Sequence, residues 1–283
     1  MLTNKFKINY SIGAVANGIK TDTFTFFLLF FYSNIIGLNP GLAGLAIFIA
    51  LCFDAVTDPL MGTISDRTNS KYGRRHPYMM ISFIPMSLGY ILLFAPRQDW
   101  DMSQNDLFLW MTIFTIITRI GMTLFDIPHR AFGGEVTKDY EERTLLMSWR
   151  EMIGWVAGLS NAFLGYGIFF ASTPEYPQGQ LNPDAWFPFA LTGAVFMIIS
   201  VLYSSFSTKD EIKDLSKWNG NIALYEIFNE LKIAVTNKAF LIFFFGNLFL
   251  SLAWGLANTL TLFVNTYFWE FEATQIKYFL PIY

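Results

Sequence analysis

Two aspartates and a threonine lie one helical turn apart within a strongly apolar part of the sequence. Asp54, Thr57 and Asp58 are spaced i, i+3 and i+4, so on a helix their oxygen atoms project from one face. Pro59 follows, and its missing N–H leaves a backbone carbonyl one turn back without its helical donor. A charged side chain at the centre of a bilayer costs at least about 2.5–3.5 kcal/mol, so such residues face a bundle interior or a water-filled cavity.

A second acidic position follows in a later apolar stretch. Asp126 is predicted to end a helix, with Thr123 three residues earlier on the same face and Pro128 just beyond. Carboxylates that face one another in a low dielectric cannot all stay ionised unless a proton or a bound cation relieves their repulsion. Carboxylate and hydroxyl oxygens suit a hard cation such as Na⁺. The sequence therefore predicts a cation site formed by Asp54, Thr57, Asp58, Thr123 and Asp126.

Two other interpretations of the buried acids stay open. Asp54 or Asp58 pairs with an arginine such as Arg119 or Arg150 and only locks helices together. Alternatively, two acids share a proton as the catalytic pair of an intramembrane aspartyl hydrolase. The second alternative is disfavoured because Asp54 and Asp58 lie on one helix, and the sequence around Asp126 lacks the glycine spacing of such enzymes. We therefore predict a protein that is not an enzyme.

The elements that must position these acids are apolar blocks long enough to cross a membrane. Of the 283 residues, 53% are hydrophobic and 14% are charged, whereas a soluble domain averages roughly 25% charged residues. A spanning helix needs roughly 20 mostly apolar residues. The composition therefore predicts an all-α, multi-pass membrane protein. Its predicted spans I to VII are 9–36, 41–64, 78–95, 107–125, 145–170, 185–206 and 239–267, and an eighth begins near Thr274.

Lys and Arg predict the orientation of these spans. They concentrate after spans II, IV and VI, whereas the segments after spans I and V have none and that after span III has only Arg97. The positive-inside rule then places the amino terminus in the cytoplasm of a protein of the cell's inner membrane. We predict a six-helix bundle (1–206), a cytoplasmic linker (207–238) and an incomplete second bundle (239–283). The apolar end at Tyr283 predicts that the chain is truncated.

Composition also argues against several classes of protein. Cys52 is the only cysteine, which excludes a disulfide framework and a zinc cluster of cysteines. No basic arm suggests a nucleic-acid partner. The predicted partners are the lipid bilayer, a coupling cation and a small-molecule substrate. We expect a monomer without a cofactor other than the coupling ion.

Four stretches of the sequence resemble a known transporter family. The stretch GTISDRTNSKYGRRHP, residues 62–77, resembles the loop signature between helices II and III of the major facilitator superfamily. DAVTDPLMG (54–62), FDIPHRAFGGEV (125–136) and YSIGAVANGIKTD (10–22) resemble its glycoside–pentoside–hexuronide:cation symporter family. The resemblance implies the major facilitator fold, with two six-helix bundles and alternating access. This chain would contain the complete amino-terminal bundle and the beginning of the second.

The resemblance also implies roles for individual residues. The family's cation site matches Asp54, Asp58 and Asp126, with Thr123 at its helix IV threonine and Thr57 in place of its helix II asparagine. The implied substrate-binding residues are Asn17, or Asp22 if the register of helix I shifts, together with Asp126, Arg130 and Arg150. Arg130 replaces a family aromatic residue, and the positive charge of Arg130 and Arg150 favours a hexuronide or another anionic or modified glycoside. Lys20 either pairs with Asp22 or lines the same pocket.

The loop signature implies a conformational latch. In the family this loop joins the two bundles by ion pairs in one of the two transport states. A latch of this kind biases a two-state equilibrium without freezing it. The basic cluster is also the signal for orientation, and both roles are predicted together. The latch residues are Gly62, Asp66, Arg67, Gly73, Arg74 and Arg75.

The predicted function is the symport of a sugar or glycoside with Na⁺ or H⁺. One alternative is the cation-coupled transport of a non-sugar solute, such as a lipid-like molecule or an organic anion, on the same fold. A further alternative is an inactive gene fragment, because the apolar run at the end of the chain has no capping signal.

Overall fold

The computed structural model describes residues 2–209 and 236–279, and these residues form helices and their connections without a β-strand. Short 3₁₀ turns at Gln98–Trp100, Gly179–Leu181 and Pro183–Ala185 lie in the connections. The numbered helices are α1 (Asn4–Ser11), α2 (Ala14–Asp22), α3 (Pro40–Arg67), α4 (His76–Ile81), α5 (Phe83–Leu93), α6 (Gln104–Glu135), α7 (Tyr140–Leu164), α8 (Trp186–Ser207), α9 (Lys238–Phe263) and α10 (Ala273–Phe279).

Six described helices are long and apolar enough to cross a membrane, and an irregular first helix precedes them. The prediction of a multi-pass membrane protein is confirmed. Observed bounds agree with the predicted spans to within a few residues, except at the starts of spans I and V and at the end of span IV. The six spans are Pro40–Arg67, His76–Leu93, Gln104–Glu135, Tyr140–Phe169, Pro183–Ser207 and Lys238–Phe268. Most of the predicted linker falls at 210–235, outside the described residues.

Span I is one irregular helix. It begins at Asn4, five residues before its predicted start, because the Thr3 hydroxyl accepts a hydrogen bond from the Phe6 N–H at 3.2 Å. After α2 the chain continues through the π-helical turns Thr23–Phe27 and Phe31–Ile36, with a three-residue α-helical turn between them. It ends at Gly37, whose φ of +86° suits glycine because a side chain is disfavoured there.

Span IV is longer than predicted. The prediction ended it at 125, but α6 continues through Pro128 to Glu135. Asp126 therefore lies inside the helix, and Arg130 lies on the helix rather than in the loop that follows it. The prediction was wrong because a proline removes only one helical hydrogen bond, and neighbouring helices make that loss tolerable in a membrane protein.

Small residues hold α2 against α7. Gly18 of α2 lies directly on Gly154 and Gly158 of α7, and a Cβ atom added to Gly158 would lie 3.0 Å from the Gly18 carbonyl oxygen. This close approach matches the GxxxG spacing of Gly154 and Gly158, which favours tight contact between membrane helices. Elsewhere the bundle packs around the fully buried Trp186, whose ring stacks on Phe94 with the ring planes 5° apart.

Candidate functional site

A small cavity of about 60 Å³ lies between α2, α3 and α6 in the interior of the bundle. It brings together five of the predicted site residues: Asn17, Asp54, Asp58, Thr123 and Asp126. Lys20 and Arg119 line it as well, and both are cations. Thr57, Asp22, Arg130 and Arg150 are not among the residues that line it. Carboxylates from two helices and cations from two helices thus line one partly open polar cavity.

Asp54 is paired with an arginine. Nη1 of Arg119 donates to Oδ2 of Asp54 in a short hydrogen bond between α6 and α3. The other carboxylate oxygen, Oδ1, is buried and has no hydrogen-bond partner among the described residues. The hydroxyl of Thr57, one turn along α3, is buried and unpartnered in the same way. The geometry therefore agrees with the interpretation in which Asp54 joins two helices through Arg119.

Asp58 has only a neutral hydrogen-bond partner. The Thr123 hydroxyl donates to Oδ1 of Asp58 at 2.6 Å, and no ion pair to Asp58 occurs within residues 2–209 and 236–279. The threonine predicted from its position on α6 thus contacts the acid predicted from α3. Among the described residues, Asp58 and Thr123 form a pair of cavity oxygens that no arginine contacts.

Asp126 lies between two arginines. Arg150 of α7 is fully buried, and its Nη2 donates to Oδ1 of Asp126 in a short hydrogen bond. Arg130, one turn along α6, donates from Nε to Oδ2 at 2.7 Å. Both guanidinium groups also contact Glu151, at 2.6 Å from Arg150 and 3.3 Å from Arg130. The predicted substrate residues Arg130 and Arg150 are therefore held next to Asp126 by a second carboxylate that the sequence reasoning did not select.

His129 fixes the position of Arg150. Its Nε2 lies 3.0 Å from the Tyr10 carbonyl oxygen, which can only accept, so Nε2 carries the proton. Its Nδ1 therefore accepts from Nε of Arg150, at 3.4 Å. The Tyr10 ring stacks on the imidazole with 4.1 Å between centroids, and the Tyr10 hydroxyl donates to the His129 carbonyl at 3.1 Å. The break between α1 and α2 is thereby tied to the arginine that holds Asp126.

Built-in cations balance the negative charge of this region. The acids Asp54, Asp58, Asp126 and Glu151 are matched by Lys20, Arg119, Arg130 and Arg150, four charges of each sign. No three His, Cys, Asp or Glu side chains form a group that could hold a metal ion in the part of the chain that the structure describes. The crowding of unpaired carboxylates expected from the sequence is therefore not what these residues show.

Asp22 lies away from the cavity. Its Cβ packs 3.3 Å from the position of a Cβ atom at Gly158, on the side of α2 that faces α7. Lys20, two residues earlier, faces the cavity instead. Asn17 is therefore the predicted helix I residue that the structure brings to the pocket, and the alternative register with Asp22 is not observed.

The loop signature forms an ion-pair network at the end of the bundle. Arg75 donates to Asp66 at 2.7 Å and to Glu135 at 2.8 Å, and Arg74 donates to Glu135 at 2.5 Å. We call Asp66, Arg74, Arg75 and Glu135 the loop network. Glu135 was missed because the predicted end of span IV left it in a loop.

The remaining latch positions shape the loop. Gly73 has a φ of +77°, a conformation that glycine adopts without strain. Gly62 faces α6, where a Cβ atom would meet Ile127 at 3.8 Å, and Arg67 is the last residue of α3. The pairs of the loop network join α3, the II–III loop and α6, all within the amino-terminal bundle. A latch between the two bundles stays a prediction.

Comparison with known proteins gives a consistent family assignment. Residues 9–282 match the family described as MFS/sugar transport protein. The chain is 27% identical over 256 residues to inner membrane symporter YicJ of Escherichia coli K12, covering 84% of this chain and 54% of YicJ. It is 30% identical over 179 residues to sodium-dependent lysophosphatidylcholine symporter 1-A of Danio rerio, covering 61% of this chain and 32% of that protein.

A third relative is named for a different substrate. The glucuronide carrier protein homolog of E. coli K12 is 24% identical over 168 residues, covering 59% of this chain and 36% of that protein. The chain thus spans about half the length of YicJ, and about a third of the other two relatives. The described part of the chain has the all-α major facilitator fold, with the amino-terminal six-helix bundle and the start of the second bundle. Because the family match covers nearly all of the chain, the protein belongs to the MFS/sugar transport protein family, a family of transporters.

Proposed function

We propose that this protein is a secondary active transporter that couples uptake of a sugar or glycoside to symport of Na⁺ or H⁺ by alternating access. The observation that carries the proposal is the cavity in which Asp58 and Asp126 meet inside the bundle. Ionisable residues at membrane depth are costly, and they mark ion and substrate paths when they face a cavity. The family assignment and the symporter names of the relatives support the same activity.

The proposed cation site uses oxygens of α3 and α6. Asp58 and Thr123 supply a carboxylate and a hydroxyl that already lie 2.6 Å apart. Oδ1 of Asp54 and the hydroxyl of Thr57 are buried nearby and have no hydrogen-bond partner among the described residues, but Asp54 is already paired with Arg119. Oxygen donors of this kind suit a hard cation, and a carboxylate equally accepts a proton. Asp126 completes the proposed site on the substrate side.

The proposed substrate site uses Asn17, Arg130 and Arg150 beside Asp126. The side chain of Arg130 is 46% exposed and that of Glu151 is 50% exposed, so this end of the cluster opens outward. Guanidinium groups donate several hydrogen bonds in a fixed geometry, which suits sugar hydroxyls or a carboxylate. We therefore propose a glycoside that carries an anionic group, such as a hexuronide. Asp22 has no place in this site.

The proposed orientation and the proposed latch both follow from the charge pattern of the loops. We propose that the amino terminus lies in the cytoplasm and that the protein is a monomer in the cell's inner membrane. The loop network is proposed to stabilise one of the two arrangements of the bundles. Ion pairs that are partly buried, as these are, contribute more than fully exposed pairs, which are worth about 0–1 kcal/mol.

Gradient-driven uptake tests the proposal. The full-length protein is reconstituted into liposomes, and accumulation of labelled glycosides is followed with a sodium gradient, a proton gradient or neither. Asp58→Asn is expected to abolish gradient-driven accumulation, because Asp58 is the cavity carboxylate that has no arginine partner among the described residues. Asp99→Asn, on the exposed III–IV connection, serves as the matched control and should leave uptake unchanged. Accumulation that is equal in both variants would refute the proposed role of the cavity.

A lipid-like solute is the second candidate. The similarity to the sodium-dependent lysophosphatidylcholine symporter favours it. The two candidates are separated by competition in the same liposomes. A neutral glycoside, a hexuronide and a lysophospholipid are each added below the concentration that disrupts the bilayer. The solute that reduces uptake of the labelled glycoside and is itself accumulated is the substrate.

A further inference from the structure

Asp54 is already paired with a positively charged side chain of the protein itself. Arg119 donates from Nη1 to Oδ2 of Asp54, and both residues line the cavity. The side chain of Arg119 is 12% exposed and that of Asp54 is 22% exposed, so the pair is largely shielded from solvent. A guanidinium group stays protonated in proteins, and its planar fork suits a carboxylate. The charge of Asp54 is therefore balanced by a group that cannot dissociate from the protein.

The other acids of the cavity differ in this respect. Asp126 has Arg150 and Arg130 as partners. Asp58 has the neutral hydroxyl of Thr123 and, among the described residues, no ion pair. Asp58 is thus the cavity carboxylate that no cationic side chain contacts among the described residues, although Lys20 lines the same cavity.

We infer that Arg119 serves as a built-in counter-cation at Asp54, so that a free coupling cation binds at Asp58 and Thr123 and not at Asp54. This inference rests on the proposed function, because it names the part of that site where the coupling ion binds. It differs from a site formed by three aspartates and agrees with the lack of a three-carboxylate group among the described residues.

The electrostatic reason is the repulsion between two positive charges on one carboxylate. A cation at Asp54 would lie in contact range of the Arg119 guanidinium, and unit charges interact strongly in a low-dielectric interior. If Arg119 were neutral, neither oxygen of Asp54 nor the hydroxyl of Thr57 one turn away would have a hydrogen-bond partner among the described residues. Removal of this one positive charge should therefore create a cation site that the native protein lacks.

Cation-dependent thermal stability measures this directly. The melting temperature of the purified full-length protein is recorded in detergent over a titration of NaCl or LiCl, with choline chloride keeping the ionic strength constant. A cation that binds only the folded state stabilises it by RT ln(1 + [cation]/Kd), so the melting temperature begins to rise when the cation concentration reaches the dissociation constant. We expect the melting temperature of Arg119→Gln to begin to rise at a sodium concentration about tenfold lower than that of the wild type, since a close charge pair is worth at least a factor of this order.

A double variant is the matched control. Asp54→Asn with Arg119→Gln removes both charges of the pair, so it should respond to each cation as the wild type does. An unchanged or weaker sodium response in Arg119→Gln would overturn the inference. Should Arg119→Gln fail to fold, the double variant still decides, because loss of a wild-type cation response in it would show that Asp54 is a ligand of the native ion. Uptake is not part of this readout, so absence of transport would count against the proposed function alone.

Discussion

Glycine-to-alanine substitutions on the two sides of the contact between α2 and α7 test how closely these helices pack. A Cβ atom at Gly18 would overlap the Gly154 carbonyl group, closer than real Cβ contacts allow. A Cβ atom at Gly154 would lie 3.5 Å from the Ala14 carbonyl oxygen and 3.7 Å from the Ala14 Cβ, which is ordinary van der Waals contact. Gly18→Ala and Gly154→Ala therefore make the same chemical change with different steric results.

The magnitudes follow from two opposing effects. Alanine is more favourable than glycine in a helix interior by about 0.8–1.0 kcal/mol. Overpacking costs about 1–3 kcal/mol, and here the obstacle is backbone, which cannot rotate away as a side chain can. We expect Gly154→Ala to be neutral or stabilising by up to about 1 kcal/mol, and Gly18→Ala to be destabilising by up to about 2 kcal/mol.

The assay is reversible unfolding in mixed micelles, in which the fraction of denaturing detergent is raised and tryptophan fluorescence is recorded. The free energy of unfolding of each variant is compared with that of the wild type under identical conditions. Equal destabilisation by both variants would show that glycine matters at this interface for backbone reasons alone. A neutral Gly18→Ala would show that α2 and α7 lie farther apart than the structure places them.

Two further predictions concern the loop network and the proposed orientation of the protein. Glu135→Gln should destabilise the protein by about 1–3 kcal/mol in the same unfolding assay, because it leaves the partly buried Arg74 without a carboxylate in the loop network and Arg75 with Asp66 alone. Glu141→Gln, at the exposed start of α7, should change it by less than about 0.5 kcal/mol, and equal effects would contradict the argument. In a Cys52→Ser background, an impermeant maleimide should label Asn69→Cys only in inside-out vesicles and Asp99→Cys only in intact cells. The opposite pattern would reverse the proposed orientation.

The sequence was sufficient to predict the spans and the acids of the cavity. Long apolar blocks specify membrane helices almost without regard to tertiary context, since the bilayer thickness sets their length. The spacing of Asp54 and Asp58 placed both on one helix face, and both line the cavity. The pairing of Asp58 with Thr123 joins two helices that the sequence separates by 65 positions. Resemblance to a family supplied that link, which spacing alone could not.

The charges that balance these acids were harder to predict. Lys20 and Asp22 are two residues apart, so they lie on nearly opposite sides of a helix and only one could face the cavity. The spacing showed that Lys20 and Asp22 could not both face the cavity, but it did not show which of them does. That depends on the rotation of α2 about its axis, which is set by its glycine contact with α7. Arg130 was placed in a loop because Pro128 was read as the end of span IV. The choice between Arg119 and a free cation as the partner of Asp54 depends on packing distances that no periodicity contains.

The arrangement around Asp126 gives a physical route from substrate to ion within the proposed function. Arg150 and Arg130 now neutralise Asp126, which shares the cavity with Asp58. A substrate that draws hydrogen bonds from these arginines weakens their hold on Asp126 and leaves more negative charge in the cavity. The affinity for a cation at Asp58 then rises, and reciprocity requires that the cation raise the affinity for substrate by the same factor. Coupling energies of this kind are typically about 1–3 kcal/mol, so sodium or proton binding should tighten substrate binding by roughly 5- to 150-fold.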